Sequence, residues 1–232
     1  MSKKLIEGDG FNIEVLFENE QIIVINKPAG ISMHAKNSKD QSETIYSIFR
    51  SKLASNDHLR GGIVHRLDKD TSGVLIMAKT IKELDYLQQQ FASRLVDKTY
   101  IALVWGHLRH PRARIELPIK RSTKAPNKMS IDALGKMAIS EYKVLAEYNK
   151  YSLVQIDIHT GRTHQIRVQF AHMGHPIVGD KLYGGKPMPE GLSRQFLHAK
   201  SLALSIEEGL LKQNFEADLP KDLTDFLESI NG

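Results

Sequence analysis

The sequence predicts a chain of short strands with few helices, and two observations carry that expectation. Apolar, β-branched stretches of strand length recur between turn-like segments, and only three stretches combine helical spacing with a start or stop signal. Residues 14–17 and 21–25 read as a hairpin; further strands are expected at 74–78, 100–105, 140–146, 152–158 and 201–206. Thr80 followed by Glu83 reads as a capping box opening a helix with Ile81, Leu84, Leu87, Phe91 and Leu95 on its packing face. A second helix is expected from about His164 to Met173, stopped by Gly174, with Ile166, Phe170 and Met173 inward. The third begins at Leu219-Pro220-Lys221-Asp222 and occupies about 219–230, carrying Leu223, Phe226, Leu227 and Ile230.

A chain of 232 residues is long enough for a substantial core, and we expect one domain over 1–232. The net charge of +5 permits a polyanionic partner without requiring one. Its distribution says more: 109–136 holds Arg109, Arg112, Arg114, Lys120, Arg121, Lys124, Lys128 and Lys136 against Glu116 and Asp132, a local surplus of +6. Pro111, Pro118, Pro126 and Gly135 favour a loop there, although Ile115-Glu116-Leu117-Pro118-Ile119 has the pattern of a short strand. Residues 205–232 carry seven acids against Lys212 and Lys221, so this end is expected away from any polyanion.

There is no cysteine, hence no disulfide and no thiolate metal site, which fits a reducing compartment. The N-terminus has no apolar leader core and no apolar run approaches the roughly 20 residues that cross a bilayer, so a cytoplasmic protein is expected. The histidines show no His-Glu-x-x-His spacing, and we expect no metal. Gly179 to Pro187 superficially resembles a phosphate loop, but Lys186 follows the wrong glycine and Pro187 stands where Ser or Thr is required.

The most informative stretch is 62–79, where Asp68 stands between Arg66 and Lys69 just before the apolar run opened by Gly73. Asp68 and Asp70 in simple Asx turns are one reading; a carboxylate held at the mouth of a rigid strand, as nucleophile or base, is the other. His65-Arg66-Leu67-Asp68-Lys69-Asp70-Thr71-Ser72-Gly73 resembles the signature of the RluA family of RNA pseudouridine synthases, whose Asp is catalytic. Other segments are similar to that family in the same order: Val24-Ile25-Asn26-Lys27-Pro28-Ala29-Gly30, Lys98-Thr99-Tyr100-Ile101-Ala102, Thr160-Gly161-Arg162-Thr163-His164-Gln165-Ile166-Arg167-Val168 through Asp180, and Phe196-Leu197-His198-Ala199. Together they span about residues 13–206.

The resemblance implies an α+β catalytic fold with a mixed, largely antiparallel, bent sheet, flanking helices and a central cleft. It implies isomerisation of uridine to pseudouridine in structured RNA, a stem-loop of ribosomal or transfer RNA, without cofactor or metal. Asp68 is then the nucleophile, Tyr100 stacks on the uracil and assists proton transfer at C5, and Arg167 pairs with Asp68 through two parallel hydrogen bonds. Arg66 is expected to fill the space left by the extruded base. Lys69, Arg162 and His164, with Lys120, Arg121 and Lys124 of the basic excursion, are expected to support the site or contact RNA. Only a dozen residues precede the first matching strand, so the S4-like module of many relatives is not expected. We expect a monomer with no obligatory protein partner and, for want of a long apolar run, no membrane contact. The competing class, a noncatalytic RNA-binding or ribosome-assembly factor on the same scaffold, is disfavoured by Asp68, Tyr100 and Arg167 occurring together.

Overall fold

The computed structural model describes residues 4–8, 10–35, 41–54 and 61–231. In chain order the elements are β1 (Lys4–Gly8), β2 (Phe11–Glu18), β3 (Ile22–Lys27), α1 (Ile45–Phe49), β4 (Ser72–Ala78), α2 (Ile81–Ala92), β5 (Asp97–Trp105), β6 (Arg112–Arg121), β7 (Met129–Ile131), β8 (Lys136–Tyr148), β9 (Tyr151–Ile158), α3 (Gln165–His172), β10 (Leu197–Leu204), β11 (Gln213–Glu216) and α4 (Lys221–Ser229). Two compact units result: residues up to Asp97 with Ala199–Asp218, and Lys98–His198 with the stretch from Leu219 onward. Within each, strands pair antiparallel and helices are segregated from them, so this is an α+β fold.

In the first unit β1, β2, β3 and β4 pair in sequence order, with Ile22 opposite Ala78 and Lys27 opposite Gly73. Every residue of β4 is buried, as expected for an apolar strand covered on both faces. Val74, Ile76 and Ala78 alternate onto one face and pack with Ile22, Val24, Leu84, Leu87, Leu202 and Phe215. The expected stripe of α2 is shortened at its ends. Leu84 and Leu87 are buried, but Ile81 is 47% and Leu95 54% exposed, because Ile81 is the first helical residue and Leu95 lies past the Ser93 cap, after Arg94 turns the chain at φ 59°. Gln90 is buried instead, its amide bonded to both backbone groups of Ser205.

The second unit carries β5–β9–β8–β6–β7 pairing in that order. Its basic segment is not a loop. β6 pairs with β8 from Arg112–Lys143 to Ile119–Lys136 and with β7 beyond, while Ile115 and Ile119 turn inward. Pro118 is tolerated because its carbonyl still accepts from Asp132 N and its missing N–H removes only one bond. At Gly135 a Cβ would stand 2.6 Å from the Ile119 carbonyl carbon, so the β7–β8 turn requires glycine. α3 begins after His164 at φ 54° and stops where Gly174 takes φ 83°, the left-handed C-terminal stop that the sequence signalled. Its residues from Gln165 to Phe170 are all buried, which makes it a core helix rather than a surface one. α4 presents Leu223 and Phe226 to Leu103, Tyr151 and Phe196, and Arg194 holds its first turn through both oxygens of Asp222.

One buried charge disfavours the folded state. The Glu83 amide is capped by the Thr80 hydroxyl at 3.2 Å, but Glu83 Oε1 is buried without a hydrogen-bond partner among the described residues. Burial raises the carboxyl above its usual range, Lys82 opposes this and Glu207 adds to it. A raised folded-state value means that the group's contribution is fully present in acid and is lost as pH rises through the folded-state value. Glu83→Gln is therefore expected to raise stability at pH 7 by about 1 kcal/mol, with a smaller gain near pH 4; urea melts at the two pH values check it.

Candidate active site

Asp68 lies on the segment that enters β4, and the backbone of this segment is fixed at several points inside the first unit. Lys27 at the end of β3 has no exposed surface, and its Nζ donates to the carbonyls of Pro28 at 2.7 Å, Thr71 at 3.0 Å and Lys69 at 3.1 Å. The Lys69 carbonyl also accepts from Gly30 N at 2.9 Å, and Thr71 N closes a turn onto the Asp68 carbonyl at 3.1 Å. Upstream, His65 Nε2 accepts from Ile76 N at 3.1 Å while its ring stacks on Phe91 with centroids 4.8 Å apart. Downstream, Gly73 holds φ 119°, and a Cβ there would come within 2.1 Å of the Ala199 carbonyl oxygen. This close approach explains why glycine opens the strand. Asp68 and Asp70 are half-buried, while Arg66 and Lys69 are exposed. The segment thus presents a carboxylate from a backbone that cannot easily shift.

In the second unit Tyr100 is buried on β5, opposite Ile156 of β9. Arg167 is buried on α3, and its Nε and Nη2 donate to Asp180 Oδ2 at 2.7 Å and Oδ1 at 2.9 Å. The sequence reading paired Arg167 with Asp68 through such a fork; the Nε–Nη2 edge is taken by Asp180, a partner it did not name. Burial pushes the Asp180 carboxyl up, and the hydrogen bond and charge of Arg167 with the Tyr183 and Leu182 amides outweigh it, holding the group below the usual carboxylate range. The sequence signal for Asp180 was faint: one acid directly after the buried run Pro176-Ile177-Val178-Gly179. Lys27 carried a similar signal, a lysine closing a strand whose apolar residues Ile22–Ile25 are all buried.

The supporting residues fall in different places. His164 Nδ1 meets the Tyr183 hydroxyl at 2.8 Å, and Arg162 Nε donates to the Met137 carbonyl at 3.2 Å. Lys124 is exposed beyond the end of β6, Arg121 donates to the Pro126 carbonyl, and Lys120 lies 3.7 Å from Asp132. Arg114, counted in the basic surplus, is neutralised between Glu116 and Glu141. Among the described residues no three His, Asp or Glu side chains cluster as metal ligands, and no helix is long and apolar enough to cross a membrane.

Comparison with known proteins fixes the class as an RNA-modifying isomerase. The sequence profile of the family described as RNA pseudouridylate synthase matches residues 21–172. The chain is 31% identical over 230 residues to ribosomal large subunit pseudouridine synthase D of Yersinia pestis, covering 94% of this chain and 70% of that protein. It is 34% identical over 230 residues to the protein of that name from Xylella fastidiosa, covering 94% and 69%. Among solved structures, human RNA pseudouridylate synthase domain containing 4 superposes with a TM-score of 0.74 at 23% identity over 93% of this chain and 92% of that one. Human RNA pseudouridylate synthase domain containing 1 gives 0.71 at 23% identity over 97% of each. The structures show a shared fold. The chain belongs to the RNA pseudouridylate synthase family, in its RluA branch, and is an RNA uridine isomerase.

If the Lys27 ammonium fixes the Asp68 segment, Lys27→Met should remove a donor from the Pro28, Lys69 and Thr71 carbonyls, of which Lys69 keeps Gly30 N, and destabilise the protein by about 2–4 kcal/mol. Urea unfolding measures the loss; a variant within 0.5 kcal/mol of wild type, roughly the range of a surface change, would deny Lys27 this role.

Proposed function

We propose that this chain converts uridine to pseudouridine in large-subunit ribosomal RNA, as a cytoplasmic monomer without cofactor, with Asp68 as the nucleophile. The observation that carries the chemical part is the position of Asp68: half-buried, on a segment whose carbonyls are gripped by Lys27, at the entrance to a buried strand. A reacting carboxylate gains from such fixing, because orientation is a large part of its rate advantage. The names of the relatives, each a ribosomal large subunit pseudouridine synthase, support the choice of RNA.

In the reaction the N1–C1′ bond of the target uridine breaks, the uracil turns, and C5 joins C1′. The proton leaves C5 and N1 gains one, so atoms balance with no oxidant or reductant. The uridine must first leave its stack, and Arg66, exposed two residues before Asp68, is suited to occupy the vacated space. Asp68 supplies the nucleophilic oxygen, Tyr100 stacks on the uracil and helps move the C5 proton, and Arg167 favours the ionised carboxylate. Lys69, Arg162 and His164 support the site, while Lys120, Arg121 and Lys124 take phosphates.

Asp68→Asn is expected to abolish tritium release from RNA carrying 5-tritiated uridine while RNA affinity stays within about threefold, since affinity comes mainly from phosphate contacts. Substantial release would remove Asp68 from the nucleophile role. Replacing Lys120, Arg121 and Lys124 together by Ala should weaken RNA binding and flatten the slope of log affinity against log salt by about two to three, with the saturated single-turnover rate little changed. An unchanged slope would return the hairpin to the role of a solvated surface.

A further inference from the structure

Arg167 stands in an assembly that the reaction scheme above does not use. Asp180 has no exposed side-chain surface. Besides taking the Nε–Nη2 edge of Arg167, it accepts from the amides of Leu182 at 2.8 Å and Tyr183 at 3.0 Å, so the carboxylate is itself fixed by backbone. Gly184 N closes the same turn onto the Asp180 carbonyl at 2.9 Å. The turn delivers Tyr183, whose ring centroid is 5.2 Å from the Arg167 guanidinium carbon. Its hydroxyl accepts from the amide of Met129, the first residue of β7, at 2.7 Å and forms a hydrogen bond with His164 Nδ1 at 2.8 Å. Lys128, next to Met129, brings its Nζ to 5.9 Å from the Tyr183 ring. The start of α3 and the basic hairpin are therefore tied together at Tyr183, whose turn also holds the Arg167 guanidinium through Asp180.

We propose that Asp180 and Tyr183 are positioning residues for the isomerisation and act through Arg167. This rests on the reading that Arg167 serves the reaction. A guanidinium gripped along one edge by a fixed carboxylate cannot rotate, so the direction of its Nη1 N–H groups is set before RNA arrives. Tyr183 closes the ring face of the guanidinium and joins it to β7, whose hairpin bears Arg121, Lys124 and Lys128. The reacting geometry and the phosphate-binding hairpin thus share one hydrogen-bonded assembly. A displacement of about 1 Å at a reacting group costs on the order of 100-fold in rate, which sets the size of the expected effect.

The test places Asp180→Asn and Tyr183→Phe in the otherwise wild-type protein and in Arg167→Lys. Saturated single-turnover tritium release is followed, with RNA affinity and thermal melting alongside. Asp180→Asn is expected to lose about 100-fold in rate with affinity kept within about threefold, and Tyr183→Phe to lose about tenfold. The loss should fall on the saturated rate and depend on Arg167 being present, because the two residues act through its guanidinium; a purely structural role would lower melting temperature and cost rate equally in the wild-type and Arg167→Lys proteins. In the Arg167→Lys protein, already slow, neither change should cost more than about threefold further, since residues acting through one group are not additive. Wild-type rates in both variants, or losses that multiply in full in the Arg167→Lys protein, would overturn the positioning role alone. A wild-type rate for Arg167→Lys itself would overturn the reading of Arg167 beneath it. Should Asp180→Asn not fold, Tyr183→Phe, which removes one oxygen, decides by the same comparison.

Discussion

Burying the Lys27 ammonium costs desolvation that only several well-placed acceptors offset, and the chain supplies them as the carbonyls of Pro28, Lys69 and Thr71. The dependence runs both ways. The segment around Asp68 cannot move away without taking two acceptors from a buried charge, and Lys27 cannot change rotamer without removing a donor from those carbonyls. Gly30 N and the turn at Thr71 add to the same backbone, and Gly73 lets β4 pass within reach of Ala199. The first unit is thereby built to deliver one short segment, with its carboxylate, in one position.

The second unit fixes a charged side chain by other means. Arg167 is buried with a carboxylate partner, and the pair is stabilised because Asp180 has further donors in the Leu182 and Tyr183 amides. Breaking such a buried pair on one side typically costs about 3–5 kcal/mol, more than its presence contributes over an apolar pair. A rigid guanidinium edge is therefore a reason to retain the pair that stability alone does not provide. Backbone carbonyls around an ammonium and a carboxylate along a guanidinium are two solutions to one problem, the holding of a charge without water.

Much of this was legible in the sequence, where local pattern and tertiary environment agree. The apolar run at 74–78 became a strand buried on both faces, Gly174 ended α3, and Leu223 with Phe226 seated α4. The basic segment stayed open between loop and short strand because Pro118 and Gly135 are turn signals locally, whereas pairing with a strand that begins at Lys136 overrides them and extends the strand to Arg112–Arg121. Ile81 and Leu95 matched a helical stripe in spacing but lie at or beyond helix ends, which periodicity does not register. The short β1, α1 and β11 escaped for want of length. Asp180 and Lys27 escaped for a different reason: their roles depend on partners up to 44 residues away, and one residue in an apolar stretch does not say which carbonyl or guanidinium it will meet.

The claim that Asp68 performs uridine isomerisation on ribosomal RNA is tested most directly in cells, by position-resolved pseudouridine mapping of total RNA from a strain lacking the gene and complemented with either the wild-type or the Asp68→Asn chain. The account predicts that specific large-subunit ribosomal positions lose pseudouridine in the deletion and regain it with wild type alone. Recovery of those positions by the Asn chain, or a deletion that leaves every ribosomal position modified, would contradict it.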